Sequence, residues 1–150
     1  MLKKILYTLC FSTISLFSLE SGDMLPSSLG DKLVLEKDKI YIIDFFASWC
    51  KSCEKELPLM MNLNTKIDAN SVEIIGVDVD EDISKGKAFQ ESLKLNFKVI
   101  DDSKNELIKI FDPVGMPAIF IVKNSKIIAT VIGAKDDIDS YILEGLKDLK

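Results

Sequence analysis

Apolar and polar positions fall in blocks along this chain, and the period of the pattern changes from block to block. Ile40–Phe46 is almost continuously apolar, rich in β-branched and aromatic residues, and broken only by Asp44. Such a run predicts a central strand covered on both faces. Ala47-Ser48-Trp49 reads as a loop. From Cys50 the pattern turns helical, with Leu57, Met60, Met61, Leu63 and Ile67 recurring at helical spacing. Pro58 lies inside this helix and predicts a kink.

Val72–Val79 predicts a second buried strand, and Asp82–Leu95 a helix with Phe89 and Leu93 one turn apart. Phe97–Ile100 reads as a short strand and Asn105–Phe111 as a helix. After a turn at Val114–Pro117, Ala118–Val122 and Lys126–Ile132 form a hairpin around Asn124-Ser125. Asp136–Leu149 is a last amphipathic helix, with Ile138, Tyr141, Ile142, Leu146 and Leu149 on its apolar side. Upstream, Lys32–Leu35 predicts a further short strand and Glu36–Lys39 a polar turn. Strands alternating with helices imply an α/β fold: a mainly parallel sheet with helices on both faces, closed by an antiparallel hairpin at its edge.

The N-terminus follows another rule. Lys3 and Lys4 precede an apolar run to Leu19, which ends in Glu20, Ser21, Gly22 and Asp23. A basic start, an apolar middle and a polar exit describe a signal peptide over residues 1–20, with Ser18 a small residue near a cut. The run is short for a membrane span, which needs roughly 20 residues. An uncleaved anchor is the alternative. Residues 21–31 read as a linker and 32–150 as one domain. Cys10 is followed by Phe11 and falls inside the removed segment rather than at a lipid-attachment site.

Composition narrows the chemistry. The net charge is −5 and no basic cluster stands outside the extreme N-terminus, which argues against nucleic acid as a partner. Histidine is absent. Ser-His-Asp and Cys-His hydrolase mechanisms are thereby excluded. With Cys10 removed, Cys50 and Cys53 are the only cysteines, and a pair two residues apart closes too short a loop to staple a domain. In an exported protein such a pair reads as redox chemistry. Cys50 opens a helix, where free N–H groups and the dipole lower a thiol pKa, and Lys51 adds positive charge. Cys50 is therefore the expected attacking sulfur and Cys53, one turn in, the resolving one. Half a zinc site is the competing reading, and it lacks a second ligand pair.

Asp44–Pro58, with Trp49-Cys50-Lys51-Ser52-Cys53 at its centre, resembles the thioredoxin superfamily, and most closely its exported TlpA/ResA/CcmG branch. Cys53-x-x-Glu56-x-Pro58 and the segment Ile83–Lys104, similar to the helix and strand that this branch inserts, carry the closer likeness. The resemblance implies a thioredoxin-like fold with a central mixed sheet. It places Met116-Pro117 at the family's cis-proline position beside the cysteines, with Trp49, Met116 and Pro117 touching substrate. It puts Asp44 behind the resolving cysteine and Glu56 on the helix, either one a base for Cys53. No cofactor and no metal are implied.

The function expected is an extracytoplasmic protein-disulfide oxidoreductase, a monomer. The resemblance implies a reductant, with apocytochrome c cysteines as substrate and a membrane electron donor of the DsbD/CcdA type. A Cu(I) metallochaperone using the two thiolates is the alternative. A thiol peroxidase is a third reading, for which the Pro-x-x-x-Thr-x-x-Cys arrangement is missing.

Overall fold

The computed structural model describes residues 18–29 and 32–149. The proposed export segment up to Phe17, including Cys10, lies outside the described residues.

Five strands form one sheet: β1 (Ile40–Phe46), β2 (Val72–Asp78), β3 (Lys98–Asp101), β4 (Ala118–Lys123) and β5 (Lys126–Ile132), in the order β3-β2-β1-β4-β5. The helices are α1 (Lys51–Asn64), α2 (Ile83–Leu93), α3 (Glu106–Phe111) and α4 (Ile138–Gly145). β1 pairs in parallel with β2 and antiparallel with β4. β2–β3 is parallel and β4–β5 antiparallel, so the sheet is evenly mixed rather than mainly parallel. The hairpin adds its antiparallel strands on one side of the sheet, as expected, with β4 docked against β1 and β5 at the rim.

β1 explains why the middle of the sheet is so apolar. Every residue from Ile40 to Phe46 is buried, because strands flank it and helices cover both faces. Ile42, Ile74, Ile119 and Ile121 pack with Met60 and Leu63 of α1 and Ile138 and Ile142 of α4. The opposite face holds Phe45, Phe111 and Phe120, whose ring centroids lie 4.9 to 5.8 Å apart. Gly76 leaves room for two more rings, since a Cβ there would sit 2.8 Å from Phe46 Cε1 and 3.0 Å from Phe97 Cε2.

Three expectations change. Lys32–Leu35 is not a strand: Lys32 and Leu33 both donate backbone bonds to the Leu29 carbonyl, and among the described residues no strand pairs with them. The rim of β5 is met instead by the chain around Met24, through Gly22 N–H to Ile127 O, Leu25 N–H to Ser125 O and a bridge to Lys126. The last helix ends at Gly145 and tightens into a 3₁₀ turn over Leu146–Leu149. Tyr141 is half exposed rather than apolar-facing, with the Lys135 ammonium 4.5 Å from its ring centroid. α1 continues through Pro58 as one helix.

Candidate active site

The C-terminal end of β1 delivers Ala47-Ser48-Trp49 to the N-terminus of α1. Cys50 N–H closes the turn on the Ala47 carbonyl at 3.1 Å. Cys50 is the N-cap of α1, in an extended conformation, and its sulfur accepts the Cys53 N–H at 3.2 Å. The sulfur thus stands where a capping oxygen would, facing amides that have no partner within the helix. Reduced to a thiolate, it would keep that bond and gain from the helix dipole. Cys50 and Cys53 are joined as a disulfide with their Cα atoms 5.3 Å apart. Cys53 is fully buried and Cys50 is 8% exposed, so only Cys50 meets solvent.

Trp49 projects from the turn with 64% of its surface exposed. It lines a groove of about 700 Å³ with Met116, Val79, Asp80 and Ile108. Met116-Pro117 is a cis peptide leading into β4. Trp49 and Met116 share one groove, while Pro117, which the resemblance put in contact with substrate, is buried. Phe46 belongs to the core.

Asp44 and Glu56 are brought together behind this surface. Asp44, on the β1 face toward α1, is 1% exposed, and Glu56, one turn past Cys53, is 2% exposed. No hydrogen bond reaches any of their four carboxyl oxygens among the described residues. Burial pushes the Asp44 carboxyl well above its ordinary range, and the neighbouring Glu56 charge adds to it. Burial likewise raises Glu56 to about 7, opposed by the backbone amide of Lys135, which faces the carboxyl outside hydrogen-bonding geometry. Near neutral pH this pair can hold or release a proton, with the more deeply buried Asp44 the one kept neutral. Lys51 is not drawn to the sulfur: its side chain is exposed, and Nζ lies 3.0 Å from Glu54.

Residue patterns did not single out Ser48, Asp78 and Asp80. Ser48 donates its N–H to Asp80 Oδ2 at 2.7 Å and its hydroxyl to Oδ1 at 2.8 Å. Asp78 accepts the Asp80 N–H and the Gln90 amide. Burial pushes Asp78 to about 6, against those two bonds and with the adjacent Asp80 carboxyl adding to the rise. The available signal was two acids closing an otherwise apolar strand.

Residues 13–131 match the AhpC/TSA family. The chain is 35% identical over 118 residues to the thiol-disulfide oxidoreductase ResA of Bacillus thuringiensis, covering 75% of this chain and 68% of that protein. It is 30% identical over 98 residues to ResA of Bacillus subtilis, over 65% of this chain and 55% of that one. Among solved structures, StoA of Bacillus subtilis superposes with a TM-score of 0.64 at 26% identity, covering 73% and 86% of the two chains. A Chlorobium tepidum protein assigned as the thiol:disulfide interchange protein DsbE shares the fold at TM-score 0.75 and 23% identity, over 87% and 98%. A cysteine pair at a helix N-terminus, a groove beside it and these likenesses agree: the chain belongs to the AhpC/TSA family, with a thioredoxin-like fold, and is a thiol–disulfide oxidoreductase of the ResA type.

Proposed function

We propose that the protein works outside the cytoplasm as a reductant of protein disulfides, with apocytochrome c cysteines as substrate and a membrane dithiol donor of the DsbD/CcdA type restoring it. The buried, unbonded carboxyl pair Asp44–Glu56 carries this reading. A reductant must turn its second thiol into a nucleophile in a dry site, and that requires a local proton acceptor.

In the first step the Cys50 thiolate attacks one substrate sulfur. A Cys50–substrate bond forms, the substrate disulfide breaks, and the leaving sulfur takes a proton from solvent. Cys53 then gives its proton to the carboxyl pair and attacks Cys50 Sγ. The Cys50–Cys53 disulfide forms and the second substrate sulfur departs, two electrons having passed to the substrate. Glu56 is the group with an ionised fraction near pH 7 and so accepts the proton; Asp44, held neutral, keeps a second charge out of the site. Trp49 and Met116 receive the substrate chain, and the buried Pro117 acts only through the cis peptide that it forms with Met116. Lys51 acts on Cys50 at most weakly, sharing its charge with Glu54 in water.

Equilibration with a glutathione couple tests the direction. A potential near about −270 mV supports a reductant, and one near about −120 mV would mark an oxidant and end this reading.

A further inference from the structure

The turn that carries Trp49 is closed internally by one bond, Cys50 N–H to Ala47 O. Its other tie is external. Both donors of Ser48, the residue before Trp49, go to the two oxygens of Asp80. Asp80 is 5% exposed and is itself fixed, its N–H bonded to Asp78 Oδ1 at 2.9 Å. Asp78 is held in turn by Gln90 of α2 at 2.7 Å, and its carbonyl accepts the Asp102 N–H at 2.7 Å. Gly86 of α2 leaves the space this carboxyl occupies, for a Cβ there would come within 2.5 Å of Asp78 Oδ2. A continuous tie therefore runs from α2 through Asp78 and Asp80 to the turn, and Asp80 also lines the groove that Trp49 borders.

We propose that Asp80 is a positioning residue for substrate: by holding both donors of Ser48 it orders the Trp49 ring against the groove, and so sets how tightly a protein disulfide docks beside Cys50. The exposed indole has too little packing to order itself, whereas an acceptor with two short bonds to the preceding residue restricts the backbone from which it hangs. The effect falls on docking because the Cys50 sulfur is held separately, by α1. The inference rests on disulfide exchange at Cys50 and not on its direction.

Trp49 is the only tryptophan of the chain, so its fluorescence reads the turn directly. In the reduced protein, Asp80→Ala should at least double the amplitude of the fast phase of Trp49 anisotropy decay. It should raise KM for insulin disulfides fivefold or more, with a smaller change in kcat. Asp80→Asn keeps an acceptor for the Ser48 N–H and offers its amide to the hydroxyl, and should restore both readings to within twofold of the parent. Ser48→Ala, which loses one bond of the two, should raise KM about twofold and serves if Asp80→Ala does not fold. Parent-like anisotropy and KM in these variants would overturn the proposal. So would Asp80→Asn as impaired as Asp80→Ala, since charge and not bonding would then be the cause. The anisotropy arm stands whatever substrate the protein reduces.

Discussion

Glu56 carries a free-energy consequence that follows from its burial. Its folded pKa, about 7, lies above the ordinary 4.5, so the folded state favours the neutral carboxyl. The stability this represents is fully present below pH 4.5 and is lost as pH rises through about 7. Glu56→Gln removes the loss. Urea unfolding of the two proteins should give equal stability near pH 4 and an advantage for the Gln variant of up to about 3 kcal/mol at pH 8. Equal stability at both pH values would show that Glu56 is not desolvated. The same group predicts a kinetic signature. Release of a trapped mixed disulfide should slow about tenfold or more near pH 7 in Glu56→Gln and lose its rise across that pH, whereas Asp44→Asn, neutral like the carboxyl it replaces, should stay within about threefold of the parent. Stopped-flow rates unchanged from pH 5 to 9 in Glu56→Gln would remove the pair from the mechanism. Asp44 was legible because an acid inside an apolar strand needs a reason. Glu56 was only half legible: it sits between charged neighbours, and its burial shows only from the spacing of Cys53, Glu56, Met60 and Leu63 on one helix face. Asp80 was not legible, since acids commonly end strands and its partner Ser48 lies 32 residues away.

α3 shows how a short element can be secured from outside itself. Asn105 occupies its N-cap position but makes no side-chain bond. Asp102, three residues earlier, accepts the N–H groups of Glu106, Leu107 and Ile108 at 2.9 to 3.0 Å. It thereby satisfies the free amides of a six-residue helix that buries Leu107 and Phe111 and presents Ile108 to the groove. Asp102→Ala should cost about 1–2 kcal/mol in chemical denaturation, and it should loosen the α3 wall of the groove, read as faster hydrogen exchange at Leu107 and Ile108. Unaltered stability and exchange would mean that packing alone holds α3. Element types were legible from period: β1, β2, the β4–β5 hairpin and the four helices lie where the pattern put them. Lys32–Leu35 failed because a short apolar run, Leu33-Val34-Leu35, is a strand only if a neighbour pairs with it, and the chain around Met24 takes the β5 rim. Tyr141 failed because a ring's apolar body does not reveal the cation that will cover it.

At the scale of the molecule, the sheet converges on one end. β1 supplies the turn before Cys50, β2 ends in Asp78 and leads to Asp80, and β4 begins beside Met116-Pro117. The hairpin is antiparallel as its pattern predicted, and the pairing of β4 with β1 brings the start of β4 and the end of β1 to the same end of the sheet. That pairing sets the cis Met116-Pro117 peptide at the end of the sheet from which the turn to Cys50 leaves, and no local pattern encodes it, since register is a property of paired strands. Residues joined by the motif, Trp49 through Pro58, were readable together; Met116-Pro117 was placed only by resemblance, and the Ser48–Asp80 tie, made by topology, was not readable.

Trapping the exchange intermediate tests the central claim most directly. Purified Cys53→Ser, reduced and mixed with a protein disulfide, should accumulate a one-to-one mixed disulfide that peptide mass spectrometry places on Cys50, while Cys50→Ser forms none and shows no turnover. Sustained turnover by Cys50→Ser, or an adduct on Cys53 in that variant, would contradict the account.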